Sequence, residues 1–339
     1  MSLYRKHLLC SQDWSKEELM TVLQLAAQMK QKPYDLAWTS LLKNKSFLML
    51  FYNPSLRTHI SFETAITQLG GHAQYRTPNM GWIKTSKQAG EAISDAAKVI
   101  SRYVNGIGLR ILLDAVPYYG AGHQMLLEYA KAVTVPLISM ADDRFHPCQG
   151  LADIMSWAEG LSSEKSQPDF NNLKGKKLLL TWAKSSLTRP WSSVQSHLLL
   201  ASRFGMNITL ARPEGYDLDH EICQWTQQNC NENGTRFEMI DNPDDGYKEA
   251  HVVFARNWVT SNAYQDGQLQ KQAEIDKALQ HTQWTVTAER MARTHNALFA
   301  NPMPLDRGNE ATNEVADSPR SVIFDVAENR LHVQKAIMA

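Results

Sequence analysis

KSFLMLFYNPSLRTHISFETAITQLGG, residues 45–71, joins an apolar run to a helical pattern through a proline-bearing turn. The run at 45–53 has about the length of a buried strand, and the segment from Asn53 onward reads as a turn feeding a helix. A strand, loop and helix in that order expose unpaired N–H groups at the helix N-terminus, where the positive end of the macrodipole favours an anion. Ser55 and Thr58 add hydroxyl donors at that end, and Arg57 adds a planar fork matched to phosphate. On this stretch alone, the plainer alternative is an N-capped helix with an exposed arginine.

The same alternation recurs along the chain. NGIGLRIL (105–112) and VPLISM (135–140) read as strands, followed by helices near 121–132 and 147–160. A second series opens with KKLLLTWA (176–183) and continues through a helix at 193–204, MNITLARP (206–213), a helix near 218–232 and HVVFARNW (251–258). WTVTAERM (284–291) and NALFANP (296–302) suggest two further strand-to-loop transitions. A helix at 14–31 stands ahead of the first strand, starting behind Ser15 with Glu17 and Glu18 in its first turn. Repeated βα units imply an α/β protein with two doubly wound parallel sheets. Residues 1–150 form the expected first domain and 151–320 the second, with a polar loop at 160–174 and a terminal helix, about 321–339, packing back on the first.

At 339 residues, with Lys+Arg and Asp+Glu both 35, the chain has no net field to recruit nucleic acid or an anionic membrane. Any anion site must be local. The segment MSLYRKHLLCSQDWSKEE lacks the apolar core of a signal peptide, and no run approaches the length of a membrane span. A cytoplasmic protein is expected. Cys10, Cys148, Cys223 and Cys230 show no metal-type pairing, so reduced thiols and no metal site are expected.

Two further stretches carry candidate chemistry. His146-Pro-Cys-Gln149 follows a strand and opens a helix, with Pro147 suited to a first-turn position. His146 and Gln149, three apart, face the same way and suit one polar group such as a carbonyl; a capping role for His146 is the plainer reading of this stretch alone. Arg110 ends the strand at 105–112. All these residues fall at carboxyl ends of presumed parallel strands, where open α/β sheets bind ligands.

Ser55-Leu56-Arg57-Thr58, Arg110 and His146-Pro-Cys-Gln149, in that order, resemble the carbamoyl-phosphate set of the aspartate and ornithine carbamoyltransferases, and DRGNEATNEVADSP (306–319) and AENRLHVQKA (327–336) extend the likeness to the end of the chain. The resemblance implies that Ser55, Leu56, Arg57, Thr58 and Arg110 hold the phosphate while His146 and Gln149 address the carbamoyl group, with Arg57, Arg110, His146 and Gln149 catalytic. It implies a homotrimer and no cofactor. It also implies that Trp82, Thr85, Ser86 and Lys87 reach the neighbouring subunit's site. HLLCSQDWSKEEL (7–19), NPSLRT (53–58), TWAKSSLTRPWSSVQS (181–196) and FARNWV (254–259) look like the N-acetylornithine and N-succinylornithine branch, in which the 181–196 region forms a backbone knot.

That likeness makes the second substrate an ornithine-like, N-acylated amino acid converted to a citrulline-type ureido product. Arg256 stands where the branch has a lysine and would pair with a carboxylate; Asp142 and Glu310 are candidate acidic neighbours. The departure from the family is at Asn301-Pro302-Met303-Pro304, where ornithine-type members carry His-Cys-Leu-Pro. Pro302 supplies neither thiol nor N–H, only a carbonyl that accepts. A non-catalytic paralogue that binds carbamoyl phosphate or an amino acid is the alternative this departure leaves open.

Overall fold

The computed structural model describes residues 3–81, 83–85 and 89–339, so Trp82, Ser86 and Lys87 lie outside the described residues. The chain forms two compact units, one of Met1–Leu151, Asp266–Leu269 and Asn329–Ala339, the other of Ala152–Gln265 and Gln270–Glu328.

In the first unit β1 (Ser46–Phe51), β2 (His72–Arg76), β3 (Gly106–Ile111) and β4 (Leu137–Asp142) make an all-parallel sheet in the order β2-β1-β3-β4. Leu48, Leu50, Ile107, Leu109 and Leu137 are buried in one cluster with Leu126 and Tyr129, as expected of central parallel strands. Helix α1 (Lys16–Gln31) starts with a capping box between Ser15 and Glu18. Helix α2 (Leu56–Gln68) follows β1 and is capped by Ser55, whose Oγ accepts from the Thr58 N–H. Because β2 and β3 flank β1 on opposite sides, the strand order reverses between the carboxyl ends of β1 and β3. Such a switch point opens a crevice there.

The second unit repeats the scheme. Here β5 (Lys177–Trp182), β6 (Asn207–Ala211), β7 (Phe237–Ile240), β8 (Val252–Arg256) and the strand Leu298–Ala300 pair in parallel, with Leu298–Ala300 beside β8 at one edge and β7 at the other. Its switch point lies between β5 and β8. The helix Ser192–Arg203 is buried from Ser192 through Ser202, so it is a core helix and not an amphipathic one.

Three elements depart from the expectation. β2 (HAQYR) and β7 (FEMI) are edge strands with polar, half-exposed faces, so the apolar signal of a buried strand is missing from them. WTVTAERM forms no strand: Val286 makes one isolated bridge to Ala311, and Thr287 caps the short helix Ala288–Met291 through the Arg290 N–H. Among the described residues no helix is long and apolar enough to cross a membrane.

The helix Ala121–Ala132 is held by Asp143, whose carboxylate accepts from the N–H groups of Gly120, Gly122 and His123. A Cβ on Gly122 would stand 2.7 Å from the Ile111 carbonyl and 2.8 Å from Asp143 Oδ1. Gly122→Ala is therefore expected to lower unfolding free energy in urea by about 1–3 kcal/mol. An unchanged midpoint would show that the β3 end yields without cost.

Candidate active site

Thr58 is the centre of the first unit's candidate site. Its buried hydroxyl accepts from Arg330 Nη2 at 2.8 Å and Ser55 Oγ at 3.0 Å, and Arg110 Nη1 reaches it at 3.5 Å. With both lone pairs taken, its own hydrogen remains to donate. The loop is tied to the sheet by backbone and side chain: the Tyr52 N–H donates to the Arg110 carbonyl, and Asn53 Oδ1 accepts from the Leu112 N–H at 2.6 Å. In register Phe51 faces Arg110, so the β1 loop and Arg110 emerge together at the switch point.

Three guanidinium groups are therefore close. Burial, then the charges of Arg330 and Arg57, push Arg110 down to about 9, and its Nε is buried without a hydrogen-bond partner. Holding Arg110 charged in that setting has a cost that an incoming anion would offset. Arg330 is the member that the sequence reading missed. It lies on the buried stripe of the helix Ile323–Met338, four after Val326 and three before Val333, and a cation on an apolar stripe is the signal that would have found it.

His146 and Gln149 are buried at the start of the helix Pro147–Leu161, where the His146 carbonyl accepts from the N–H groups of Gln149 and Gly150. Between them Cys148 Sγ faces the Ser139 carbonyl, and burial pushes its thiol up to about 12 despite the Arg330 charge. It is no nucleophile. The turn into His146 is fixed by Asp142, which accepts from the Arg144 and Phe145 N–H groups and meets Ser139 Oγ and His123 Nδ1. The Asp142 carboxylate, expected near a substrate, is thus 1 % exposed and committed to the protein. Thr85 lines a cavity of about 530 Å³ with Phe51, Tyr52, Pro54 and Tyr75, beside the β1 loop.

In the second unit Arg256 closes β8 and is buried, with Nη1 3.4 Å from the Pro304 carbonyl. Asn301 is fully buried and Nδ2 donates to the Ala255 carbonyl. Pro302 follows, buried, and Met303, half-buried at φ 23°, enters the left-handed region before a cis bond to Pro304. Glu310 is also fully buried, accepting from the N–H groups of Asn257 and Asp306, so it braces the loop after the last strand. Among the described residues no group of three or more His, Cys, Asp or Glu side chains is arranged to hold a metal.

Residues 6–159 match the aspartate/ornithine carbamoyltransferase carbamoyl-P binding domain, and residues 191–339 match the Asp/Orn binding domain of the same proteins. The chain belongs to the aspartate/ornithine carbamoyltransferase family. It is 37% identical to the N-acetylornithine carbamoyltransferase of Xanthomonas campestris pv. campestris, covering 98% of this chain and 97% of that one. It is 33% identical to the anabolic ornithine carbamoyltransferase of Pyrococcus furiosus, covering 100% and 97%. Acetylornithine transcarbamylase crystallised with acetylcitrulline superposes with a TM-score of 0.86 at 36% identity, covering 98% of each chain.

Two measurements test this geometry. Adding phosphate to the apoprotein is expected to raise its melting temperature, and Arg110→Met to abolish that rise while leaving apo stability equal or higher; a full phosphate response in the variant would rule out the arginine cluster as the anion site. Burial opposes protonation of His123, but the Asp142 hydrogen bond and charge win and raise its pKa. A raised histidine pKa stabilises the fold below the unfolded value of about 6.5, and the gain fades as pH climbs past the folded value. Melting curves should show the stability gap between the native protein and His123→Gln widest in mild acid and narrowing toward pH 8; a gap independent of pH contradicts the ion pair.

Proposed function

We propose that the chain transfers the carbamoyl group of carbamoyl phosphate to the side-chain amine of an N-acylated, ornithine-like amino acid, releasing phosphate and a citrulline-type ureido product. The observation that carries this reading is the pair Arg110 and Arg330 on the Thr58 hydroxyl, with the Arg57 charge close to Arg110 and the buried His146 and Gln149 in the same unit. The N-terminal end of α2, with Ser55, Leu56, Arg57 and Thr58, would hold the phosphate together with Arg110 and Arg330. His146 as donor and Gln149 would hold the carbamoyl carbonyl and amide.

The chemistry needs a neutral amine. Its nitrogen bonds to the carbonyl carbon, the oxygen gains charge that His146 stabilises, and collapse breaks the C–O bond to phosphate. The amine's proton leaves with the departing phosphate, whose charge the arginines offset. The acyl preference is supported by relatives that act on N-acetylornithine and by Arg256, a cation for the acceptor's carboxylate. Asn301, Pro302 and Met303 would then pass the incoming amine, with the Pro302 carbonyl as acceptor in place of a thiol. Asp142 would support the turn into His146 in the first unit, and Glu310 the loop after the last strand in the second. The same reading has the protein working as a cytoplasmic homotrimer, with Trp82, Thr85, Ser86 and Lys87 serving the neighbouring subunit.

Incubation with carbamoyl phosphate and N-acetyl-L-ornithine, N-succinyl-L-ornithine or ornithine is expected to give ureido product and phosphate in equal amounts, fastest with an acylated acceptor. His146→Ala should lower kcat by roughly 10²–10³-fold, the usual cost of one oxyanion donor. Absence of ureido product with every acceptor would overturn the proposal.

A further inference from the structure

The first unit holds a second hollow, at the end of its sheet away from the arginines. This cavity of about 640 Å³ opens at the amino ends of β1 and β3 and beside the start of β4, where Ser46, Gly106 and Pro136 line it. Phe51 and Arg110 stand at the other end of β1 and β3, so at about 3.3 Å per residue the cavity lies roughly 15 Å from the anion cluster. Its walls are mostly apolar: Val22 and Leu25 from α1, Phe47 from β1, Ile66 from α2, Ile138 from β4 and Ile337 from the terminal helix. A hollow of that size and lining suits a small apolar molecule.

Charge decides which kind. Arg5, Lys6 and Lys45 line the cavity, and none of its described lining side chains is acidic. Lys6 lies 5.5 Å above the Trp14 ring and is bound to Glu18 at 2.6 Å. Arg5 donates to the Thr134 carbonyl, a neutral acceptor that leaves its charge uncompensated. Lys45 is exposed and, among the described residues, its ammonium meets no carboxylate. Two uncompensated cations beside an apolar hollow complement an anion carried on an apolar chain.

The cavity is also tied to the anion cluster. Ile337 stands seven residues after Arg330, two turns along one stripe of the helix Ile323–Met338. Between them Gln334 is fully buried and its amide has no hydrogen-bond partner among the described residues, so it gives the stripe no polar anchor between its ends. Packing at Ile337 therefore bears on how Arg330 meets Thr58.

We propose that this cavity is an effector site for a medium-chain fatty carboxylate, whose binding raises the affinity of the arginine cluster for phosphate. The chain fills the apolar hollow, Arg5 and Lys45 take the carboxylate, and the packed last turn of the helix holds Arg330 on the Thr58 hydroxyl. The acceptor's identity plays no part in this; only the anion cluster is shared with the transfer reaction.

Calorimetry on the full-length protein should show decanoate binding saturably, one molecule per chain, and 1-decanol binding about tenfold or more weaker for want of the charged contact. The double variant Arg5→Met/Lys45→Met should lose about tenfold or more in decanoate affinity. Leu25→Trp, which fills the hollow, should abolish binding while the apoprotein melts near the native temperature; should that variant not fold, Thr21→Trp fills the cavity from its exposed rim. No saturable binding, equal affinity for decanol, or binding undisturbed by the filling variants overturns the site. Saturating decanoate should tighten phosphate binding about fivefold or more, and phosphate should tighten decanoate binding by the same factor. Phosphate affinity that is unchanged or weakened overturns the effector role. If phosphate binds neither with nor without decanoate, the anion cluster behind the proposed function fails and the effector role with it, while the decanoate titrations decide the cavity by themselves.

Discussion

Two guanidinium groups on one threonine hydroxyl, with the charge of a third close to Arg110, are the constraint on which the first unit depends. Like charges that close repel, and burial removes the water that would screen them, so the cluster persists only because the surrounding fold leaves no alternative. Each arginine arrives by a different route: Arg57 from the first turn of α2, Arg110 from the end of β3, and Arg330 from the helix Ile323–Met338. The register of β1 against β3, the Asn53 anchor and the Ser55 cap fix the first two relative to each other. The third is brought in from the far end of the sequence by the Thr58 hydrogen bond.

His146 depends on a different kind of support. Its helix starts where β4 ends, and the turn between them is shaped by two adjacent acids that do separate work. Asp142 pins the turn itself and pairs with His123, while Asp143 caps the preceding helix, Ala121–Ala132. Burial and the neighbouring Asp142 charge raise the Asp143 pKa to about 6, which marks how closely the two carboxylates are packed.

Much of this was legible in the sequence. The strand, loop and helix at 45–71 announced the parallel sheet and the helix start capped by Ser55, because an apolar run followed by a hydroxyl-rich helix start has few other structural meanings. The central strands were readable as apolar runs because both faces are covered. β2 and β7 were not, since edge strands keep one side in water. Arg330 was hidden for a related reason: periodicity showed the helix but treated its charge as solvent-facing, and only the tertiary contact with Thr58 reveals the buried cation. Asp142 and Glu310 are candidate substrate neighbours on chemistry alone, and what sequence could not show is that each also accepts from backbone N–H groups.

The central claim is that the arginine cluster around Thr58 receives the phosphoryl end of the donor substrate. The direct measurement is a crystal structure with a phosphonoacetyl bisubstrate analogue of an N-acylated ornithine. Phosphonate oxygens are expected within hydrogen-bonding distance of Arg57, Arg110 and Arg330 and of the Thr58 hydroxyl, with the analogue's carbonyl facing His146. A phosphonate bound elsewhere, with the three arginines unchanged, would contradict it.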